Sequence, residues 1–331
     1  MRPAPVKILV TGASGFVGGA FMRRFAARPD VTLLGVARRP TPLGNYRRVD
    51  LSMPFDLDYA PDVVIHAAAL ASPWARSRDY ERHNVEATRN VIAFCEARGR
   101  PRLLYLSSSS VFYRNQHQFE LTESSRIGPY FVNDYAATKF AGEQLVRRYA
   151  GEAVILRPRA VFGPGDTVLF PRILHAARRN RLPLLIPDGE PARGDLIYID
   201  SLCDYLLAAA SKPTVSGAYN LTNAEPVVIQ SFLIEALERL GLPPPRRRVR
   251  VATAMHVAAL SEFVYRLLRL PGEPPVTRFG VGVLAWSKTF DVSLALRDFG
   301  PPSVSLWNGL QCFVEWQLAR WSSMMSARRV P

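Results

Sequence analysis

The chain has 331 residues, of which 48% are hydrophobic and 21% are charged, and its formal net charge is +14 at pH 7. These proportions exclude a largely disordered chain and leave ample length for one large domain or two joined ones. A basic balance favours anionic ligands. The charge is scattered, however, and the spacings typical of zinc-finger and RNA-binding proteins are absent, so we expect no nucleic-acid partner.

The three cysteines, Cys95, Cys203 and Cys312, are far apart and form no CxxC pair. This spacing offers neither a metal site nor a disulfide framework, and it is typical of a reducing compartment. No signal-peptide core follows Met1, and the apolar runs are too short to span a bilayer. We therefore expect a cytoplasmic protein without a bound metal.

The first half of the chain alternates short apolar runs with longer segments of helical periodicity. The periodicity predicts helices behind residue 16 and at 78–98 and 134–149, and strands at 6–10, 31–37, 46–49, 62–66, 102–106 and 153–156. Such alternation indicates βαβ units, and hence an α/β fold with a doubly wound parallel sheet of the Rossmann type.

Beyond Pro158, proline and glycine become frequent and the segments shorten. We interpret residues 1–165 as a dinucleotide-binding Rossmann domain and residues 166–331 as a smaller α+β substrate-binding lobe. A strand, a helix and a second strand predicted near 196–221 are expected to return to the main sheet.

A helix predicted at residues 253–270 has an amphipathic pattern. Glu262 and Arg266 lie opposite an apolar face, which packs internally or lines a substrate entrance; that face comprises Val257, Leu260, Val264, Leu267 and Leu268. The arginines at 246–248 and the net charge also suggest a weak contact with a membrane surface. The oligomeric state is left open, with a homodimer as one alternative.

A glycine-rich turn separates the first strand from the first helix. Gly12 permits the tight turn, Gly15 lets the backbone approach a pyrophosphate, and Gly18 lets the helix pack closely on the strand. The strand–turn–helix context predicts dinucleotide binding at the helix N-terminus, with Ser14, Phe16 and Val17 completing the binding turn. No GK[ST] follows, which excludes a P-loop NTPase.

The end of the second strand bears on the choice of coenzyme. NAD enzymes usually place an acid there for the ribose 2′-hydroxyl, whereas this chain has Arg38 and Arg39. Guanidinium groups can bind a 2′-phosphate through two parallel hydrogen bonds. The sequence therefore favours NADP(H), with NAD(H) as the alternative.

Tyr135 and Lys139 are four residues apart and share one face of a predicted helix. Four serines, at 107–110, follow the strand predicted at 102–106. Both segments reach the carboxyl edge of a parallel sheet, where ligands bind. The ammonium group of Lys139 is expected to lower the pKa of the Tyr135 phenol toward working pH.

With these motifs the chain resembles an extended short-chain dehydrogenase of the 3β-hydroxysteroid dehydrogenase/epimerase group. The shared segments cover most of the chain in the family's order: TGASGFVG (11–18), HAAAL (66–70), LSSSSVF (106–112), YAATK (135–139), RPRAVFGPGD (157–166), YID (198–200) and YNLTN (219–223), with Asp50, Leu51 and Asn84 between them. The chain departs from the family at Tyr113, where glycine is common, and this departure leaves the substrate class open.

The resemblance implies a role for each matched position. Ser108 is the catalytic serine, with Ser107 and Ser109 as alternatives in register, and Tyr135 exchanges a proton with the substrate while Lys139 serves Tyr135 and the nicotinamide ribose. The cofactor is expected to pass Asp50 and Leu51 at the adenine, His66, Ala67 and Ala68 at the ribose and phosphates, and Pro158 and Val161 at the nicotinamide.

The implied activity is the interconversion of a hydrophobic secondary alcohol and a ketone, of the 3β-hydroxysteroid or 3-oxoacyl type. A nucleotide-sugar epimerase or dehydratase is the alternative among enzymes. A non-catalytic dinucleotide-sensing protein is the alternative from another class, and the joint presence of Ser108, Tyr135 and Lys139 argues against it.

Overall fold

The computed structural model describes residues 4–327, so the outer ends of the two predicted domains, including the segment at Met1, lie outside the described residues. In chain order the strands are β1 (Val6–Thr11), β2 (Val31–Ala37), β3 (Tyr46–Arg48), β4 (Val63–His66), β5 (Arg102–Leu106), β6 (Gln118–Leu121), β7 (Ala153–Pro158), β8 (Val161–Phe162), β9 (Leu184–Ile186), β10 (Arg193–Gly194), β11 (Ile197–Tyr198), β12 (Gly217–Leu221), β13 (Val227–Val228), β14 (Arg248–Arg250) and β15 (Lys288–Phe290).

The helices lie mainly between these strands: α1 (Phe16–Phe25), α2 (Ser77–Tyr80), α3 (Ala87–Ala97), α4 (Asp134–Val146), α5 (Phe170–Arg178), α6 (Ile199–Ser211), α7 (Ile229–Arg239), α8 (Val251–Leu267), α9 (Arg278–Ala285), α10 (Ser293–Phe299) and α11 (Leu306–Ala327). A π-helical segment, Glu81–Glu86, joins α2 to α3 without a break.

Seven parallel strands form the main sheet in the order β12-β7-β5-β4-β1-β2-β3. Successive residues of β1 point to opposite faces: Ile8 packs in one core with Phe21 of α1, and Leu9 packs in the other with Val91 of α3. Helices therefore cover both faces, which confirms the doubly wound α/β fold. Because β1 lies between β2 and β4, the strand order reverses there, and the crevice at the carboxyl ends of β1 and β4 is where this architecture binds ligands.

The strand–helix–strand segment predicted near 196–221 joins the main sheet only through its second strand. β12 pairs in parallel with β7 and completes the main sheet, but β11 pairs with β8 in a separate two-stranded sheet. A two-residue strand that turns directly into α6 is too short to run along a main-sheet strand. The four-stranded sheet β13-β10-β15-β6 also takes β6 from within the predicted first domain, so the division at residue 165 stays a prediction.

The amphipathic helix of the sequence is α8, but its apolar face does not pack internally. Its buried side consists of small residues and one acid, Ala254, Ala258 and Glu262, whereas Leu260 and Leu267 are about two-thirds exposed. Glu262 is satisfied by the backbone N–H of Arg278 and by its guanidinium group. Of the two alternatives for this face, internal packing is therefore wrong, because the lobe provides a partner only for the side that carries Glu262.

Candidate active site

The glycine turn has no room for side chains at two of its glycines. A Cβ on Gly18 would lie 2.5 Å from the carbonyl oxygen of Gly12, and a Cβ on Gly12 would lie 2.9 Å from the backbone of Ala68. Gly12 also has a φ of +72°, which favours glycine. The turn thus brings the N-terminus of α1 and the backbone of residues 67–68 together, and this cradle fits a pyrophosphate. Ser14, Gly15, Phe16 and Val17 line it and are partly accessible.

His66 is held in one tautomer beneath this turn. Thr88 donates its hydroxyl proton to the carbonyl oxygen of Asn84 at 2.6 Å, so it accepts from Nε2 of His66 at 3.0 Å, and Nδ1 must accept from Thr11 at 2.8 Å. Burial lowers the pKa of His66 to about 3, and the ring is neutral.

Both ring nitrogens of His66 are hydrogen-bonded within the protein, so the predicted contact of this turn with the cofactor would not use the imidazole. A contact between this turn and a cofactor would come from the backbone at residues 66–68. The N–H of Ala68 donates to Oγ1 of Thr11, and this bond holds that backbone in place.

The end of β2 gathers several cationic side chains. Arg38 and Arg39 are exposed, and Nη1 of Arg38 lies 3.0 Å from Nε2 of His83. Arg82, which the sequence did not single out, donates to Ser52 at 2.9 Å and approaches Asp50 at 3.7 Å. Although burial opposes it, hydrogen bonding from Ser52 and the charges of Arg38 and Arg82 hold the pKa of Asp50 below its usual value. Leu51 beside it is buried.

The hydroxyls of the four serines at 107–110 have different hydrogen-bond partners. Ser107 donates to Glu143 at 2.6 Å, and Ser109 pairs with the hydroxyl of Tyr113 at 3.1 Å. Ser110 donates to Oγ of Ser108 at 2.9 Å through its hydroxyl and at 3.2 Å through its N–H. Of the four, Ser108 alone is not fully buried. Since its oxygen accepts two hydrogen bonds, its own proton is free to be donated.

Tyr135 lies in the first turn of α4, which Asn133 caps by accepting the N–H of Ala136 at 2.9 Å. The π-helical segment supports this turn, because Asn84 donates to Thr138 at 3.1 Å. Burial raises the pKa of Tyr135 to about 12, although hydrogen bonding with Ser108 opposes the shift. The direction is opposite to the expected one, since the cost of burying a phenolate outweighs the stabilising contacts.

Lys139 is buried one helical turn after Tyr135, with Nζ 4.2 Å from the centre of the Tyr105 ring. Burial lowers the pKa of Lys139 to about 7, and the carboxylate of Glu143 partly restores it. Close packing of α4 on β5 holds the lysine there: a Cβ on Gly142 would lie 2.1 Å from the Tyr105 hydroxyl.

Residues 158–161 follow β7 at the carboxyl edge of the sheet. The N–H of Arg159 bonds to the carbonyl of Leu221 at 3.0 Å, Ala160 has a φ of +44°, and Val161 pairs with Ile197. Pro158 and Val161 thus lie at this edge of the sheet, and their contact with the nicotinamide stays a prediction.

A small cavity lies beside the start of α4. It is lined by residues from four parts of the chain: Trp74 and Tyr80, Asn133 and Asp134, Glu262 and Arg266 of α8, and Arg278 and Phe279 of α9. The inner side of α8 thus borders this cavity beside the first turn of α4, which we term the entrance cavity. Across residues 4–327 no group of three or more histidine, cysteine or acidic side chains could hold a metal ion, and no helix is both long and apolar enough to cross a membrane.

Residues 8–222 match the NAD dependent epimerase/dehydratase family. The chain is 36% identical over 333 residues to the 2-alkyl-3-oxoalkanoate reductase of Stenotrophomonas maltophilia, covering 92% of this chain and 98% of that protein. It is 32% identical over 268 residues to 3beta-hydroxysteroid-dehydrogenase/decarboxylase isoform 1 of Arabidopsis thaliana, covering 76% of this chain and 61% of that protein.

Solved structures are similar along nearly the whole chain. MoeE5 in complex with UDP-glucose and NAD has a TM-score of 0.73 at 24% identity and covers 95% of this chain and 99% of its own. The UDP-glucuronic acid 4-epimerase of Bacillus cereus in complex with NAD has a TM-score of 0.69 at 22% identity and covers 96% and 99%. At these identities the similarity shows the fold.

Proposed function

Because the chain belongs to the NAD dependent epimerase/dehydratase family, an NAD(P)-dependent enzyme family of the extended short-chain dehydrogenase kind, we propose that it interconverts a hydrophobic secondary alcohol and the corresponding ketone with NADP(H). One observation carries the proposal: the other three hydroxyls of the serine loop are bonded within the protein, and Ser108 is the one that bonds with Tyr135.

Ser108 and Tyr135 have separate roles in the proposed reaction. When bound, the nicotinamide supplies a hydride to the carbonyl carbon or accepts one from the alcohol carbon. Ser108 donates a hydrogen bond to the substrate oxygen as negative charge develops there. In reduction, Tyr135 gives its hydroxyl proton to that oxygen. Burial keeps the phenol protonated at neutral pH, which is the state that ketone reduction requires.

The glycine cradle and the backbone of residues 66–68 would hold the pyrophosphate, and the cationic group at the end of β2 would hold a 2′-phosphate. Arg38 and Arg39 are accessible there, and Arg82 adds a third guanidinium nearby. A 2′-phosphate binds guanidinium groups through charge-assisted hydrogen bonds, which a ribose hydroxyl cannot match. These groups support a preference for NADP(H) over NAD(H).

The substrate class rests on the lobe and on the named relatives. By their names, the 2-alkyl-3-oxoalkanoate reductase acts on a 3-oxo acid and the 3beta-hydroxysteroid-dehydrogenase/decarboxylase acts on a hydroxysteroid. Neither name refers to a nucleotide sugar. Phe279 and Trp74 add apolar surface to the entrance cavity, whose lining also includes charged side chains such as Arg278. We therefore favour a 3-oxo or 3-hydroxy compound with a long apolar part over a nucleotide sugar.

Coenzyme oxidation and reduction across a panel of ketones, alcohols and nucleotide sugars tests this function. The expected result is turnover of 3-oxo or 3-hydroxy compounds with NADP(H). Epimerisation of a UDP- or dTDP-sugar without activity on 3-oxoacyl or steroid substrates would overturn it, and binding of the dinucleotide with no turnover of any substrate would favour the sensing protein.

A further inference from the structure

A buried arginine near the proposed catalytic residues has guanidinium nitrogens that no described residue pairs with. Arg159 is 2% exposed, and within residues 4–327 its Nε and Nη2 are buried without a hydrogen-bond partner and it forms no ion pair. Leaving a buried charged donor unpaired is costly, so such a group usually has a ligand. The guanidinium carbon lies 5.3 Å from the centre of the Tyr113 ring.

A second cation lies against the same ring. Lys288, also 2% exposed, has Nζ 5.7 Å from the ring centre of Tyr113 and donates to the carbonyl oxygens of Gln116 and Ser287. These bonds use two of the three ammonium protons. Asp195 is the buried acid of this neighbourhood: burial raises its pKa to about 6, although the N–H of Phe290, which it accepts, and the charge of Arg159 oppose the shift. Burial and the charge of Arg159 lower the pKa of Lys288 to about 7, so Arg159 is the main cation of this group and Lys288 adds hydrogen-bond donors beside it.

This group, which we term the Arg159 cluster (Arg159, Lys288 and Tyr113), adjoins the catalytic serine loop. The hydroxyl of Tyr113 bonds to Ser109, the neighbour of Ser108, at 3.1 Å. Arg159 directly follows Pro158, which we expect at the nicotinamide end of the crevice. Phe279, which lines the entrance cavity, stacks on Tyr113 with the ring centres 6.3 Å apart.

We propose that Arg159 and Lys288 bind the carboxylate of a 3-oxo or 3-hydroxy acid, and so place the oxygen at its third carbon beside Ser108 and Tyr135. The inference rests on the proposed function and deepens it, since it selects acids over neutral ketones such as steroids. A guanidinium group and a carboxylate match in charge and geometry, and the closed surroundings strengthen the pair.

The experiment compares a 2-alkyl-3-hydroxy acid with its methyl ester in the full-length protein. Binding of each compound is measured calorimetrically with coenzyme present, and NADP⁺ reduction is measured separately. Arg159→Gln should weaken binding of the acid by roughly 10- to 100-fold and leave the ester unchanged. Arg159→Lys should restore part of the preference, while Arg193→Gln, an exposed cation on β10, serves as the matched control.

The thermal midpoint separates binding from structure. Arg159→Gln removes a buried unpaired charge, so it should not lower the midpoint, whereas a structural arginine would. Equal binding of acid and ester by the unmodified protein, or equal loss of both in the variant, overturns the subsite. Selective binding of the acid without any turnover would support the subsite and overturn the proposed reaction, so the two failures are distinguishable.

A separate observation concerns the outer face of α8, defined here as Val257, Leu260, Phe263 and Leu267. All four are more than half exposed and lie on one side of the helix at spacings of three and four residues. Between residues 243 and 272 the only acid is Glu262, which is buried against Arg278. Exposed arginines flank the face at both ends: Arg246, Arg247, Arg248 and Arg250 before it, and Arg269 after it.

We infer that this face docks on the surface of an anionic lipid bilayer. An apolar stripe with arginines at both ends suits a helix that lies in the plane of the interface. The anionic headgroups complement the charge, and the inner side of the same helix borders the entrance cavity.

Co-sedimentation of the full chain with phosphatidylcholine vesicles, with and without phosphatidylserine, tests the docking. Binding is expected only with phosphatidylserine, should fall as salt is raised, and should be lost in Leu260→Ser/Phe263→Ser but kept in Leu318→Ser on α11. Equal sedimentation with both vesicles overturns the proposal. The proposal is also overturned if the unmodified protein binds no vesicles but forms a concentration-dependent dimer that the double variant abolishes. A second copy of the chain would then cover the face.

Discussion

Arg157 of β7 binds both carboxylate oxygens of Glu143 in α4, with Nε–Oε1 at 2.9 Å and Nη2–Oε2 at 2.7 Å, and neither side chain reaches solvent. Ser107 donates to the same carboxylate at 2.6 Å. The pair therefore joins the helix of Tyr135 and Lys139 to the serine loop and to the strand that leads to the predicted nicotinamide end. Glu143 also lies one turn beyond Lys139 and counteracts the depression of its pKa.

Replacing Glu143 with glutamine should lower the free energy of unfolding by about 3–5 kcal/mol, because it leaves the Arg157 charge buried without a counter-charge. Urea unfolding measures the change. The matched control is Glu86→Gln, which breaks an exposed pair with Arg89 and should cost less than about 1 kcal/mol. Equal losses in the two variants would contradict the structural importance of the pair.

Tyr135→Phe should reduce kcat by roughly 10²- to 10⁴-fold and leave coenzyme affinity nearly intact, because only proton transfer is lost. Lys139→Met should damage both rate and coenzyme binding. The measurements are steady-state kinetics and fluorescence titration with NADPH. If the Tyr135→Phe variant keeps more than about a tenth of the wild-type kcat, Tyr135 is not the proton donor.

Ser108→Ala should lower kcat by about 10²- to 10³-fold, the usual cost of one donor to a developing oxyanion. Ser109→Ala should cost less than about tenfold, since that hydroxyl is bonded to Tyr113. The two variants decide the register of the serine run, and a larger loss in Ser109→Ala would move the catalytic role by one residue.

Arg38→Ala should raise the KM for NADPH far more than the KM for NADH, because the 2′-phosphate loses a charge-assisted partner. Arg28→Ala, which breaks an exposed pair with Asp30, is the control and should change neither. If the unmodified enzyme has equal kcat/KM for the two coenzymes, the NADP preference is wrong.

His66 makes stability depend on pH in a defined direction. Its pKa is about 3 in the folded chain, below the ordinary value of 6.5, so the unfolded state binds the extra proton between these values. Stability should therefore fall as the pH falls from 6.5 toward 3, by about 1.4 kcal/mol per pH unit for this one proton. The slope should be shallower in His66→Asn and unchanged in His256→Asn, an exposed control, as read from urea midpoints.

Local patterns predict what lies within one strand–turn–helix unit. The glycine turn and the spacing of Tyr135 and Lys139 follow from such patterns, whereas the choice of Ser108 within the serine run came from the family resemblance. The contacts of Glu143 with Arg157 and of Asn84 with Thr138 join elements far apart in the chain, and no local period records them. The orientation of α8 is a further case, because its hydrophobic pattern predicts burial, whereas the lobe buries the side with Ala254, Ala258 and Glu262.

The place of β12 in the main sheet has a consequence for synthesis of the chain. β7 pairs with β5 on one side and with β12 on the other, and β12 ends at residue 221. Until the ribosome has released that segment, β7 is an edge strand whose apolar residues and unpaired backbone groups invite association with other chains. A nascent protein stalled near residue 165 already contains the whole glycine turn and both segments that we propose to be catalytic. It should nevertheless need a chaperone, because the strand that closes its sheet has not yet been made.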